Sequence, residues 1–131
     1  MFALSLDYVL KFFPGAKITV VYVPSPLSCY EIVSGEVSAE SYLQYRRNRY
    51  DAGLVRERNL LINARVRAEA LGRGMGFVDT QPAVRAAARE RLLHGPRDWN
   101  HFNLAGYEAM MGPVVEAVMG ASDGKGKGAR P

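Results

Sequence analysis

Apolar residues recur at helical spacing from Phe2 to Phe13, through Leu6, Val9, Leu10 and Phe13, and the pattern stops at Pro14-Gly15. A first helix is predicted there, starting without a convincing cap. From Lys17 to Val23 the pattern changes to a β-branched, nearly continuous apolar run, the form expected of a parallel strand covered on both faces. Pro24-Ser25-Pro26 ends the run by withdrawing backbone amides from the ladder. A loop through Ser28-Cys29-Tyr30 then leads to a turn at Ser34-Gly35.

Helical spacing resumes from about Ala39 to Leu71, with Leu54, Leu61, Ala64, Val66 and Ala68 among the apolar positions and many Arg and Glu residues between them. Gly53 offers a point at which this stretch divides into two helices. Gly72 to Gly76 provides a helix stop, and Phe77-Val78-Asp79-Thr80 reads as a short second strand. Pro82 suits the first turn of a helix running toward Leu93, and Leu104 to Met119 form a last amphipathic helix. The Gly/Lys-rich tail from Gly120 is expected to be disordered.

The order helix, strand, helix, strand, helix, helix is that of an α/β domain with parallel strands and crossover helices. Only two strands are strong, and a parallel sheet normally has more. The pattern therefore reads as a sheet that lacks strands on its N-terminal side.

At 131 residues, 48% hydrophobic and 23% charged, the chain has the size and composition of one globular domain, here residues 1–119 followed by the tail 120–131. The formal net charge of +4 comes from arginines scattered over helical stretches and from Lys125, Lys127 and Arg130. No basic stripe is interleaved with aromatic residues, so a nucleic-acid partner is not expected. No apolar run approaches the ~20 residues that cross a bilayer, so no membrane span is expected. The segment Met1 to Asp7 lacks a basic start, and no small-residue cleavage site follows before Pro14, so it reads as a helix and not a signal peptide. The compartment is left open. One cysteine, Cys29, cannot form an internal disulfide. Two histidines and no cysteine cluster give no metal-site spacing, and no cofactor is expected.

The chemistry concentrates in Asp98-Trp99-Asn100-His101-Phe102-Asn103-Leu104-Ala105-Gly106-Tyr107. Asp98 and His101 lie three apart in a loop ahead of the last helix. A carboxylate so placed holds the imidazole in one tautomer and leaves its other nitrogen free to take a proton from a nucleophile. Asn103 is placed to cap the helix, and Gly106-Tyr107 allows close packing at its first turn. The competing account is a loop hydrogen bond that merely anchors the helix.

Together these residues resemble the last conserved block of the SGNH (GDSL-type) esterases and lipases, in which Asp-x-x-His precedes the C-terminal helix. Phe13 to Pro24 resembles that family's fourth strand with its lead-in, and Gly76-Phe77-Val78-Asp79 its fifth. The resemblance covers most of the chain up to about Val118. It implies part of a three-layer α/β/α, flavodoxin-like fold acting on a carboxylic ester or an acylated carbohydrate. His101 would be the general base and Asp98 its orienting carboxylate. The family's Gly-Asp-Ser nucleophile block and the Gly-x-Asn-Asp block of its oxyanion hole do not occur here. The chain therefore reads as the C-terminal half of such a hydrolase or a degenerate copy, inactive or poor by itself. The alternative is a non-catalytic α/β interaction module. Either way the strand Lys17 to Val23 is left with an open apolar edge, a template for a homodimer.

Other residues compete less well. Ser25 and Ser28 follow the first strand, where α/β proteins place their sites, but no strained strand-to-helix elbow surrounds them. Tyr30, Tyr42, Tyr45 and Tyr50 could line a groove, although tyrosines are common at helix-loop boundaries. Asp79 or Thr80 suits a capping role ahead of Pro82. His94 is expected near a helix end, where an imidazolium is favoured. Cys29 is expected to be a small buried hydrophobe.

Overall fold

The computed structural model describes residues 1–40 and 47–120, and in it the chain is mixed α/β. The elements are α1 (Phe2–Phe12), β1 (Thr19–Tyr22), α2 (Pro26–Cys29), β2 (Glu36–Glu40), β3 (Arg47–Asp51), α3 (Ala52–Leu71), β4 (Gly76–Asp79), α4 (Gln81–Ala88) and α5 (Leu104–Gly120). The expected tail from Gly120 lies, beyond that residue, outside the described residues.

The two apolar runs pair as expected. β1 and β4 are parallel neighbours in register from Thr19 opposite Gly76 to Tyr22 opposite Asp79. The Gly76 N–H donates to the Ile18 carbonyl at 2.8 Å, and the Thr80 hydroxyl donates to the Tyr22 carbonyl at 2.6 Å, so both ends are held beyond the strands proper. Alternation sends the Val20–Phe77 pair to one face and the Val21–Val78 pair to the other. On the first face Val20 and Phe77 pack with Ile18 and Leu10 around buried Leu6, Ala70 and Met75, which joins the sheet to α1 and α3. Arg73 fastens that junction, with its Nε 2.6 Å from Asp7 Oδ1 and its Nη1 2.5 Å from Glu69 Oε2. Of the apolar residues that outlined α1, Val9 and Phe13 are exposed.

A second apolar cluster is built from Cys29, Val84 and Leu93, with Tyr30, Phe102, Ala105, Ala109 and Met110 around them. It brings α2, α4 and α5 together, and its members Leu93 and Phe102 flank the Asp98–His101 loop.

Two boundaries differ from the sequence expectation. The helix expected from Ala39 begins only at Ala52, because Glu36–Glu40 and Arg47–Asp51 pair as an antiparallel hairpin; residues 41–46 lie outside the described residues. Val37 stands opposite Tyr50, a β-branched and aromatic pair suited to a ladder. The Asp51 carboxylate then accepts from the Leu54 N–H at 2.8 Å and starts the helix, with Gly53 inside its first turn and no break there. The helix expected to run from Pro82 toward Leu93 ends at Ala88. Arg89, Glu90 and Arg91 close it with amides returning to Ala86 and Ala87, and the chain turns inward to bury Leu93 and His94. No helix among the described residues is long and apolar enough to cross a membrane.

Candidate active site

The loop from Leu92 to Asn103 is held at both ends. His94 and Phe102 form an antiparallel bridge, and the Asn103 N–H donates to the Leu93 carbonyl at 2.8 Å. The Asn103 side chain donates to the Leu92 carbonyl at 3.0 Å and accepts from the Gly106 N–H at 3.1 Å. One amide thus caps α5 and pins the loop to the preceding segment. Gly106 is needed for this fit, since a Cβ there would lie 2.6 Å from the Phe102 ring and 2.7 Å from the Leu93 carbonyl oxygen. Gly95 turns the chain with φ of +77°, ahead of a cis bond to Pro96, and its N–H donates to the Asp98 carbonyl at 2.9 Å.

On this frame Asp98 and His101 meet as expected. The imidazole Nδ1 is 2.5 Å from Asp98 Oδ2, while Asp98 Oδ1 accepts from the N–H groups of Asn100 at 2.8 Å and His101 at 3.3 Å. The hydrogen bond from His101, followed by that from the Asn100 amide, lowers the Asp98 pKa and keeps it a carboxylate. A carboxylate facing Nδ1 selects the tautomer protonated there. The Nε2 atom then carries the free lone pair, and it has no hydrogen-bond partner among the described residues. Both side chains are largely exposed, at 74% for His101 and 53% for Asp98, so an incoming group has direct access. They border a depression of about 320 Å³ lined also by Gly95, Pro96, Arg97, Phe102 and Asn103.

The remaining candidates fall into structural places. Ser28 is fully buried; its hydroxyl donates to the Ser25 carbonyl at 2.9 Å and lies 3.0 Å from the Ser25 hydroxyl. Neither serine lines the depression beside His101. Cys29 is buried, its thiol donates to the Ser25 carbonyl at 3.1 Å, and burial pushes its pKa up to about 12. Such a thiol is inert at neutral pH. Asp79 accepts from the Gln81 N–H at 3.0 Å, the capping role, whereas the Thr80 hydroxyl goes to Tyr22. Tyr50 is partly exposed on β3; Tyr42 and Tyr45 lie outside the described residues. No group of three metal-ligating side chains is present among the described residues.

His94 corrects the expectation placed on it. It lies six residues past the end of α4, is 2% exposed, and burial lowers its pKa, with the negative charge of Asp98 only partly opposing. It is a neutral core imidazole. Its ring packs on Phe102 at 4.7 Å between centroids, and its Nδ1 is 2.9 Å from the Tyr30 hydroxyl. That hydroxyl also accepts from the Leu93 N–H at 2.8 Å. Tyr30 thus supports the loop from beneath, a role with no local sequence signal. Comparison of the chain with protein-family models, curated proteins and solved structures returned no match.

Proposed function

We propose that the chain carries the acid-base end of an SGNH-type (GDSL-type) ester hydrolase, with His101 as general base and Asp98 as the carboxylate that orients it. The observation that carries this reading is the Asp98 Oδ2 to His101 Nδ1 contact with Nε2 left open, in a loop that ends at the cap of α5. The sheet supports it. In a flavodoxin-like order 2-1-3-4-5 the last two strands are parallel neighbours, as β1 and β4 are here. We read them as those strands of a three-layer α/β/α domain.

The chemistry follows from the free nitrogen. Nε2 takes the proton of a serine hydroxyl as that oxygen attacks the ester carbonyl. The imidazolium, stabilised by Asp98, returns the proton to the departing alcohol, and water attacks the acyl-enzyme by the same route. No serine is among the residues that line the depression beside His101, so this reading takes the nucleophile from a segment bearing a Gly-Asp-Ser block. The substrate class is a carboxylic ester or an acylated carbohydrate.

The test is complementation. Co-expression with an N-terminal segment of an SGNH hydrolase that carries Gly-Asp-Ser is expected to produce ester turnover that His101→Ala removes. A folded, co-purifying pair without turnover would overturn the assignment.

One observation favours a second, non-catalytic reading, that of a module which associates through β1. Among the described residues β1 pairs with β4 alone, and Phe2, Leu4, Tyr8 and Phe12 on α1 are exposed. An open strand edge recruits another strand, most simply that of a second copy of this chain.

A further inference from the structure

A second cavity, larger than the depression at His101, lies between α3, α4 and the segment Leu27 to Ile32 and measures about 620 Å³. That volume is in the range of small-molecule sites. Its walls divide by chemistry. Leu27, Ile32 and Leu60 supply apolar surface, while Arg56, Arg85 and Arg89 bring three guanidinium groups to the same space. Helical spacing explains the convergence: Arg56 and Leu60 are one turn apart on α3, and Arg85 and Arg89 one turn apart along α4.

None of the three arginines has a carboxylate partner among the described residues, although Glu31 also borders the cavity. Arg56 donates through Nη2 to the Ile32 carbonyl, and Arg85 donates through Nε to the Ser28 carbonyl at 2.8 Å. These bonds orient two guanidinium groups against the cavity wall while leaving most of their donors open. The Arg89 guanidinium makes no hydrogen bond among the described residues. With Glu31 counted against the three arginines, the lining retains an excess of positive charge beside apolar surface. Guanidinium groups match the forked geometry of carboxylate and phosphate oxygens.

We propose that this cavity binds a small amphiphile with one oxyanion head and an apolar chain, the head held by Arg56, Arg85 and Arg89 and the chain lying against Leu27, Ile32 and Leu60. The site is independent of the ester chemistry assigned to His101. It is tested by calorimetric titration of the full chain with octanoate, octyl phosphate, 1-octanol and inorganic phosphate, each below any micellar concentration. Both octyl anions are expected to bind about tenfold or more tighter than 1-octanol and than inorganic phosphate, since several charge-assisted hydrogen bonds add to apolar burial. The tighter of the two identifies the head as carboxylate or phosphate.

Arg89→Gln is expected to weaken the preferred anion about five- to tenfold, one charge-assisted contact being lost. Arg58→Gln, on α3 outside the cavity, is expected to leave binding unchanged, and circular dichroism checks that both variants fold. Equal affinity for octanol and the anions, equal affinity for inorganic phosphate and the amphiphiles, or equal losses in the two variants would each overturn the proposal.

Discussion

Tyr30 and His94, 64 residues apart in the chain, share a hydrogen bond of 2.9 Å between the phenolic oxygen and Nδ1. The contact joins the end of α2 to the base of the loop that carries Asp98 and His101. It places a neutral imidazole in the core.

That imidazole makes stability depend on pH. Burial lowers the His94 pKa below its ordinary value of 6.5, so between the folded and unfolded values the unfolded chain binds more protons. Stability is then fully present above pH 6.5 and is lost as the pH falls below it. The slope is at most about 1.4 kcal/mol per pH unit for one group. Melting temperature followed from pH 7.5 to 5 is expected to fall, and His94→Gln, which accepts the same bond without titrating there, is expected to flatten the slope. A wild-type profile as flat as that of the variant would contradict the assignment of a buried neutral His94. Asp98 contributes in a lower window: its lowered pKa adds stability above its ordinary value of 3.8 that is lost on further acidification.

Gly106→Ala tests the seat of the loop. The new methyl group meets the Phe102 ring and, less forgivingly, the Leu93 carbonyl oxygen, whose position is held by the Asn103 N–H. Relief requires the loop to move off α5. A loss of about 1–3 kcal/mol is expected in urea unfolding, the usual cost of overpacking. An unchanged midpoint would show that the contact yields without cost.

Asp98→Asn separates orientation from folding. Asp98 is exposed, and Asn keeps the Oδ1 acceptor for the Asn100 and His101 amides, so its replacement is expected to lower thermal stability only slightly through loss of the ionised contact to His101. In a complemented hydrolase, loss of the carboxylate frees the other tautomer and is expected to lower kcat by about 10³–10⁴-fold. A kcat within a factor of about three of wild type would assign Asp98 to loop anchoring alone.

The open side of β1 makes its own forecast. Sedimentation of the chain is expected to show association that rises with concentration. Val23→Lys, which sets a charge at the exposed residue just past β1, is expected to weaken it. A wild-type chain that remains monomeric across the accessible concentration range would remove the edge-pairing reading.

Much of the architecture was legible from short-range pattern. The β-branched run at Thr19–Tyr22 and the Gly76–Asp79 strand pair in parallel, and the apolar periodicity from Leu104 marks α5. The Asp98–His101 contact was legible for the same reason, since three residues of loop separate the partners. The antiparallel pair of Glu36–Glu40 with Arg47–Asp51 was not. Its charged residues suit an exposed helix as well as an exposed strand, and the Asp51 cap that divides the two lies inside a continuous helical pattern. The end of α4 was missed because Leu93 extends the helical spacing yet is buried only when the chain leaves the helix.

The sequence by itself determined the two parallel strands, the last helix, its Asn103 cap and the acid-imidazole pair ahead of it, because each depends on residues within a turn or two of one another. Only the tertiary structure decided that His94 is a neutral core residue held by Tyr30, and that Arg56, Arg85 and Arg89 converge on one cavity. Those relationships join residues from different elements. Burial and charge at such places are set by packing between elements, which spacing along the chain does not encode.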